Sequence, residues 1–400
     1  MTRNTPLHLF PWLRWLEARG PYAWGAWFYG GFWGIVGGYI GFLNVYFVRS
    51  GFSEVAVGVL NALPPLMMLV LTPPVAAWAD RRARRVGVVF WALLGMGISL
   101  LVMFWVNDRV GLVAAFVGLS LSYSLVLPLS DGLIARLAAH HGLEYGRMRS
   151  WGSLSFAVCA ALFGGLWGWV GYEPMFWITG TLLILLAPSV LVLEETHPPP
   201  PGERFRLSHL LRDRGLGVVL LVSLFFGLGL GFTDPFVGVS MERLGGSPFL
   251  IGLLYLCIAL PELPTMQLEG TLARRLGNAP TLMLGCAVFV LGYTLLALVR
   301  APLPMLWVAP LVGVGYGLLF VGTVRLVDAR VTPERISTVQ SIRHALAFGI
   351  TPLLAGPIGG AAYQHFGQQF YGLTALCMGA ALIVTLLGRK ELERPAPQPT

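Results

Sequence analysis

Three carboxylic acids sit inside stretches that are otherwise apolar. Glu262 lies in GLLYLCIALPELP, 12 residues before Arg274, and Glu269 follows it by seven positions. Asp234 lies in LGFTDPF, directly before Pro235. An ionisable group in such surroundings is costly unless it is paired or hydrated. Two roles account for that cost: a proton or solute site, or a structural carboxyl held by hydrogen bonds. If these stretches are helices, Glu262 is about 18 Å from the end marked by Arg274, and Asp234 is roughly 12 Å inside its own end. Pro261 and Pro264 flank Glu262 and leave backbone carbonyls without helical donors. Glu262 is therefore the first candidate for carrying a proton, with Asp234 second. His344 is a secondary relay candidate, since imidazole is the side chain that changes charge near neutral pH, although a lone histidine is more commonly a packing residue. Tyr39, Asn44 and Tyr46 in the first apolar run, with Glu262 and Arg343, are candidates for lining a solute cavity. Arg343 suits an anion or, equally, a structural brace.

A second charged set lies at the ends of the apolar runs. Asp80, Arg81, Arg84 and Arg85 fall in ADRRARR (79–85), while Asp131, Arg136, Arg147, Arg149, Arg325 and Asp328 mark other ends. Arg325 and Asp328 have the i,i+3 spacing of a helical ion pair. These residues either anchor helix ends at lipid headgroups or form a ring of ion pairs that closes the inner mouth of a solute path.

The elements that must position these groups follow from composition. Of the 400 residues 56% are hydrophobic and only 12% charged, against about 25% charged in a soluble domain. Twelve apolar runs recur along the chain, each long enough to cross about 30 Å of hydrocarbon as a helix. Strands are not expected, since period-2 alternation is missing and an open sheet cannot face lipid. The fold class is thus an all-α membrane protein of twelve transmembrane helices. A net charge of +8 suggests nucleic acid until the basic residues are mapped onto the runs. With the N-terminus inside, only Arg49, Arg109, Arg243 and Arg300 fall outside. That bias orients the chain with both termini cytoplasmic. The expected surroundings are therefore a lipid bilayer, the bacterial cytoplasmic membrane, with no nucleic-acid partner. A monomer is expected.

The domain plan is a cytoplasmic N-tail (1–21), a six-helix half (22–193), a cytoplasmic linker (194–214), a second six-helix half (215–388) and a cytoplasmic C-tail (389–400). The linker carries four consecutive prolines and the stretch RFRLSHLLRDR, which has the pattern of a short surface helix. The halves echo each other weakly. GFSEVAVGVL (51–60) answers GGSPFLIGLL (245–254), aligning Ser53 with Ser247 and Gly58 with Gly252; with small gaps Asp131 falls opposite Asp328. Such a duplication is a common plan of secondary transporters. Small-residue faces at Gly30/Gly34/Gly38, Gly164/Gly168 and Gly313/Gly317 allow close helix approach, either as static packing or as sliding faces. The four cysteines, Cys159, Cys257, Cys286 and Cys377, lie far apart in apolar runs without metal-ligand spacing. There is no HExxH cluster, no Ser/His/Asp set in one loop and no glycine-rich phosphate cradle. No enzyme, cofactor or metal centre is expected.

ADRRARR (79–85) resembles the D-R-x-G-R-R loop of the major facilitator superfamily, with Ala76 and Ala83 where the family has glycines. PLSDGLIARLAAHHGLEYGRMRSWGSLSF (128–156) is similar to the stretch D…YGRxRxWGSxGF of the phenylpropionate-permease-like branch, relatives of sugar and nucleoside proton symporters. Asp131, Tyr145, Gly146, Arg147, Arg149, Trp151, Gly152 and Ser153 match, and Ser155 stands where the branch usually has glycine. Glu262 matches the mid-membrane glutamate that the branch tends to carry in its eighth span. VRLVDARVTPERISTVQS (324–341), followed by ALAFG, also fits. The resemblance implies two six-helix halves that alternate access to a central cavity, with Glu262 coupling proton flow to uptake of an aryl carboxylate, sugar or nucleoside. Asp80, Arg81, Arg84, Arg85, Asp131, Arg147, Arg149, Arg325 and Asp328 would then serve the inner gate. Drug or metabolite efflux by the same fold is the alternative.

Overall fold

The computed structural model describes residues 11–195 and 213–394, and among them it is almost wholly helical. A short helix, Pro11–Ala18, buries Leu13 and Leu16. The long helices that follow are α1 (Pro21–Arg49), α2 (Glu54–Arg81), α3 (Arg85–Trp105), α4 (Arg109–His140), α5 (Tyr145–Val170) and α6 (Pro174–Val192). After the linker come α7 (Arg214–Arg243), α8 (Pro248–Leu276), α9 (Asn278–Leu298) and α10 (Pro302–Asp328). The remaining apolar helix, Thr338–Leu387, has 50 residues, which at about 1.5 Å per residue is enough for two crossings. Gly367, at φ 52°, and the turn Gly367–Phe370 divide it. The chain from Pro333 thus forms α11 (Pro333–Ala345, Leu346–Ile350 and Thr351–Phe366) and α12 (Tyr371–Leu387). Among the described residues eleven apolar helices, one of double length, thus accommodate the twelve expected spans.

The helix starts are written locally. Ser53 accepts a hydrogen bond from the Ala56 amide at 3.2 Å, and Ser247 accepts one from the Leu250 amide at 3.4 Å. The two aligned serines therefore do the same work, satisfying an amide that a helix N-terminus leaves without a partner. Asp108 and Asp213 cap α4 and α7 in the same way.

The chain forms two compact units, Met1–Tyr46 with Leu63–Pro199, and Phe47–Ala62 with Pro200–Thr400. In the first unit α1 packs on α5, α3 on both α4 and α6, and the Leu63–Arg81 part of α2 on α4. A Cβ at Gly37 would lie 2.7 Å from the Phe156 carbonyl, so only glycine permits this approach of α1 to α5. Gly34 also faces α5, whereas Gly30 and Gly168 have nothing within 4 Å of a Cβ, so those two positions are not close packing faces.

In the second unit α7 packs on α11, α9 on both α10 and α12, and α8 on α10. The pairing order repeats that of the first unit helix for helix. The start of α2 belongs here: Glu54 pairs with Arg243, and Arg49 pairs with Glu242 at 2.6 Å. α11 is interrupted by a five-residue π-turn, Leu346–Ile350. The Thr351 hydroxyl donates to the Leu346 carbonyl at 2.5 Å and to the Ala347 carbonyl at 3.2 Å, serving groups that the altered turn releases. Such turns occur often at functional positions. Most of the linker, including RFRLSHLLRDR up to Arg212, and the tail beyond Arg394 lie outside the described residues. The tail up to that point is ordered: Arg389–Glu393 is a helical turn, and Glu393 accepts the Ala279 amide at 2.8 Å.

Candidate functional site

The first unit holds two polar clusters. Asp80, near the C-terminus of α2, is gripped by Arg85 and also receives Arg136 of α4 at 3.3 Å. Arg81 and Arg84, expected beside it, are exposed and make no ion pair among the described residues. The second cluster lies around Asp131. Tyr29 donates its hydroxyl hydrogen to Asp131 at 2.6 Å, and the Tyr145 hydroxyl lies 2.9 Å from that of Tyr29. The Arg149 guanidinium stacks over the rings of Tyr29, at 5.3 Å, and Trp33, at 4.9 Å. Asp131 thus has phenol partners and forms no ion pair among the described residues. Arg147 is exposed and meets Glu144 at 3.8 Å, an exposed pair of the kind that contributes little to stability. Tyr39 and Asn44 are buried, and Tyr46 packs edge-on against Phe176 at 4.7 Å.

In the second unit the expected Arg325–Asp328 pair is replaced by another. Arg325 turns to Glu269 on α8, donating from Nε at 3.0 Å and from Nη2 at 2.9 Å, with Asn278 accepting from Nη1 at 2.9 Å. Glu269 is 0% exposed whereas Asp328 is exposed. A dehydrated carboxylate gains far more from a bidentate guanidinium than a hydrated one does. Asp328 instead accepts from the Gln340 amide at 2.8 Å. The ring of ion pairs through Asp131 and Asp328 is therefore not formed within either unit. What repeats is a carboxylate on the second helix held by an arginine on the fourth, Asp80 with Arg136 and Glu269 with Arg325, each 56 residues apart.

The membrane-depth groups lie on α7, α8 and α11. Asp234 opens the turn Asp234–Phe236 that breaks α7, and its side chain is exposed with no hydrogen-bond or ion-pair partner among the described residues. Tyr255 and Tyr293 are within electrostatic reach of it. Glu262 lies seven residues beyond Tyr255, about 10 Å further along the same face of α8. Gly313 and Gly317 bring α10 against the α8 backbone there. A Cβ at Gly313 would overlap the Ile258 carbonyl, and one at Gly317 would lie 3.0 Å from that of Glu262. The Thr265 hydroxyl donates to the Pro261 carbonyl at 2.6 Å.

Arg343 is 4% exposed. Its Nε donates to Gln340 at 2.8 Å and its Nη1 reaches Thr323 at 3.4 Å, while the guanidinium lies 5.5 Å from the Phe320 ring. Among the described residues no carboxylate is within ion-pair distance of it, and Nη2 has no hydrogen-bond partner. Phe320 packs with Tyr316 at 5.7 Å and Phe348 at 6.0 Å, and the exposed His344 ring lies 5.0 Å from Phe348. Gln340 and Thr323, which orient the arginine, and Tyr29, which holds Asp131, escaped the sequence reading. A tyrosine in an aromatic-rich helix and a glutamine at a helix end carry no distinguishing local signal.

The profile of the "MFS_1 like family" matches residues 22–372. The maltose permease of Geobacillus stearothermophilus is 26% identical over 359 residues, covering 87% of this chain and 90% of that protein. The probable 3-phenylpropionic acid transporter of Escherichia coli (strain K12) is 26% identical over 289 residues, covering 69% and 74%. The crystal structure of the nucleoside transporter NupG superposes with a TM-score of 0.76 at 14% identity, covering 94% of this chain and 100% of that one. With the profile spanning most of its length and the same helical fold in a solved transporter, the chain belongs to the MFS_1-like family of major facilitator transporters.

Proposed function

We propose that the protein is a proton-coupled permease that takes up small aryl carboxylates by alternating access. The carrying observation is Arg343: a buried guanidinium with no carboxylate at ion-pair distance among the described residues, beside the Tyr316, Phe320 and Phe348 rings. Burying a cation in this way is costly unless a counter-charge arrives. A carboxylate attached to an aromatic ring supplies that charge and an apolar body for the same wall. Neutral sugars and nucleosides, the classes carried by other relatives, offer no such charge. Glu262 is the proton carrier in this reading, with Asp234, on the break in α7, the second candidate. Asp80, Arg136, Glu269 and Arg325 belong to the cytoplasmic machinery that must rearrange during the cycle.

Proteoliposomes given an inward proton gradient are expected to accumulate labelled 3-phenylpropionate, and a protonophore is expected to abolish the accumulation. Uptake of maltose or a nucleoside instead would replace the substrate class, and gradient-driven expulsion of an amphipathic drug would replace uptake with efflux.

Arg343→Gln is expected to weaken aryl-carboxylate binding by about 10–100-fold, the loss of a charged hydrogen bond worth about 1.5–3 kcal/mol. Arg343→Lys keeps the charge without the planar fork and should fall between that variant and the wild type. Calorimetric titration checks both, alongside the thermal midpoint of each unliganded variant.

The orientation proposed is both termini on the cytoplasmic side of a bacterial inner membrane. With the four native cysteines replaced, Ser247→Cys should react with an impermeant maleimide in intact cells, and Gln398→Cys only after permeabilisation. Reversed labelling would overturn the orientation.

A further inference from the structure

The cysteines carry no metal-ligand spacing, yet folding brings two neighbouring histidines against a carboxylate more than fifty residues further along the chain. His140 is the last residue of α4, His141 caps it, and Glu194 follows the end of α6. The His141 Nε2 lies 3.0 Å from a Glu194 carboxylate oxygen, the two imidazole centroids are 5.0 Å apart, and the donor atoms of all three lie within 4.8 Å of one another. We propose that His140, His141 and Glu194 bind a divalent transition-metal ion.

The hydrogen bond between His141 and Glu194 accounts for two of the three groups. His140, in the last turn of α4, stands edge-on beside them. Both sides of the cluster are held by hydrogen bonds to backbone groups. Gly142, at φ 62°, turns the chain after α4, and the Leu143 amide donates to the Ala138 carbonyl at 2.8 Å, closing the helix end. On the other side the Glu195 carboxylate accepts the Val86 amide at 2.6 Å, which fixes the segment next to Glu194. The three side chains are accessible, so an ion reaches them from water. Metal–nitrogen and metal–oxygen bonds of about 2.0–2.2 Å require only side-chain rotations to close the donor set. Two imidazoles and one carboxylate suit Zn²⁺, Co²⁺, Ni²⁺ or Cu²⁺, and disfavour the all-oxygen preference of Mg²⁺ and Ca²⁺. With three protein ligands a water completes the shell. The ion would tie the end of α4 to the end of α6, next to the proline-rich linker.

The test uses full-length protein purified without a histidine tag and stripped with a chelator. Titration with Zn²⁺ is expected to show one saturable site, and Co²⁺ should give the d–d absorption of a nitrogen/oxygen environment. His141→Ala and Glu194→Gln should each weaken Zn²⁺ binding by at least the roughly 10–100-fold that losing even an outer-shell partner costs. His365→Asn, elsewhere in the fold, should leave it unchanged. Uptake in chelator-treated vesicles should be the same for these variants as for the wild type, which separates this site from the transport reading. Wild-type Zn²⁺ affinity in the His140→Ala/His141→Ala double variant would overturn the proposal. So would equal binding of Mg²⁺, or no cobalt band at millimolar metal.

Discussion

Glu262→Gln is expected to abolish gradient-driven accumulation while leaving exchange of labelled for unlabelled solute intact. Glutamine keeps the size and hydrogen-bonding reach of the side chain and fixes it in a neutral form, which mimics the protonated acid. Exchange needs only repeated movement of the loaded carrier, whereas net uptake needs the proton to leave inside. Counterflow and gradient-driven uptake in the same vesicles separate the two. If Glu262 contacts the solute instead, binding itself should weaken by about 1.5–3 kcal/mol. If it is structural, the thermal midpoint should fall with coupling preserved. Full accumulation by the variant would pass the coupling role to Asp234, the carboxyl that also lies exposed on its break in α7.

The second large effect concerns folding. Glu269 is 0% exposed and Arg325 has about a third of its side chain accessible, 32%. Breaking the pair is therefore asymmetric. Arg325→Ala strands a fully dehydrated carboxylate and is expected to cost roughly 3–5 kcal/mol, the range for an orphaned buried charge. Glu269→Ala leaves an arginine that keeps Asn278 and can be hydrated, so its cost should be smaller. Glu269→Gln should be milder still, since the amide oxygen can accept from the guanidinium. The Arg325→Ala/Glu269→Ala double variant should be more stable than Arg325→Ala alone. Unfolding midpoints in detergent measure the series. An Arg325→Ala variant as stable as the wild type would show that the pair contributes nothing to the fold.

The internal repeat holds at its helix starts and loosens at its charged residues. Ser53 and Ser247 perform the same capping, so the alignment was right where a local motif carried it. Asp131 and Asp328, which the repeat aligns, meet different neutral partners, Tyr29 and Gln340. The repeating charged unit is Asp80 with Arg136 and Glu269 with Arg325. In sequence Glu269 stands five residues before Arg274, close to the end of its helix. Only the packing of α10 on α8 shows that this end is buried.

What the sequence determined by itself is whatever depends on short stretches of chain and on bulk composition. Apolar length specifies which segments can cross a membrane, serine and aspartate before those segments specify where helices start, and proline with glycine specifies where they break. Only the tertiary structure decided which charged side chain meets which. Arg325 stands three residues from Asp328 and 56 from Glu269, and it takes the distant partner. Helical spacing presents several candidates of equal reach. The choice between them follows burial, because a carboxylate cut off from water gains most from an arginine, and burial depends on how helices far apart in the chain come to pack.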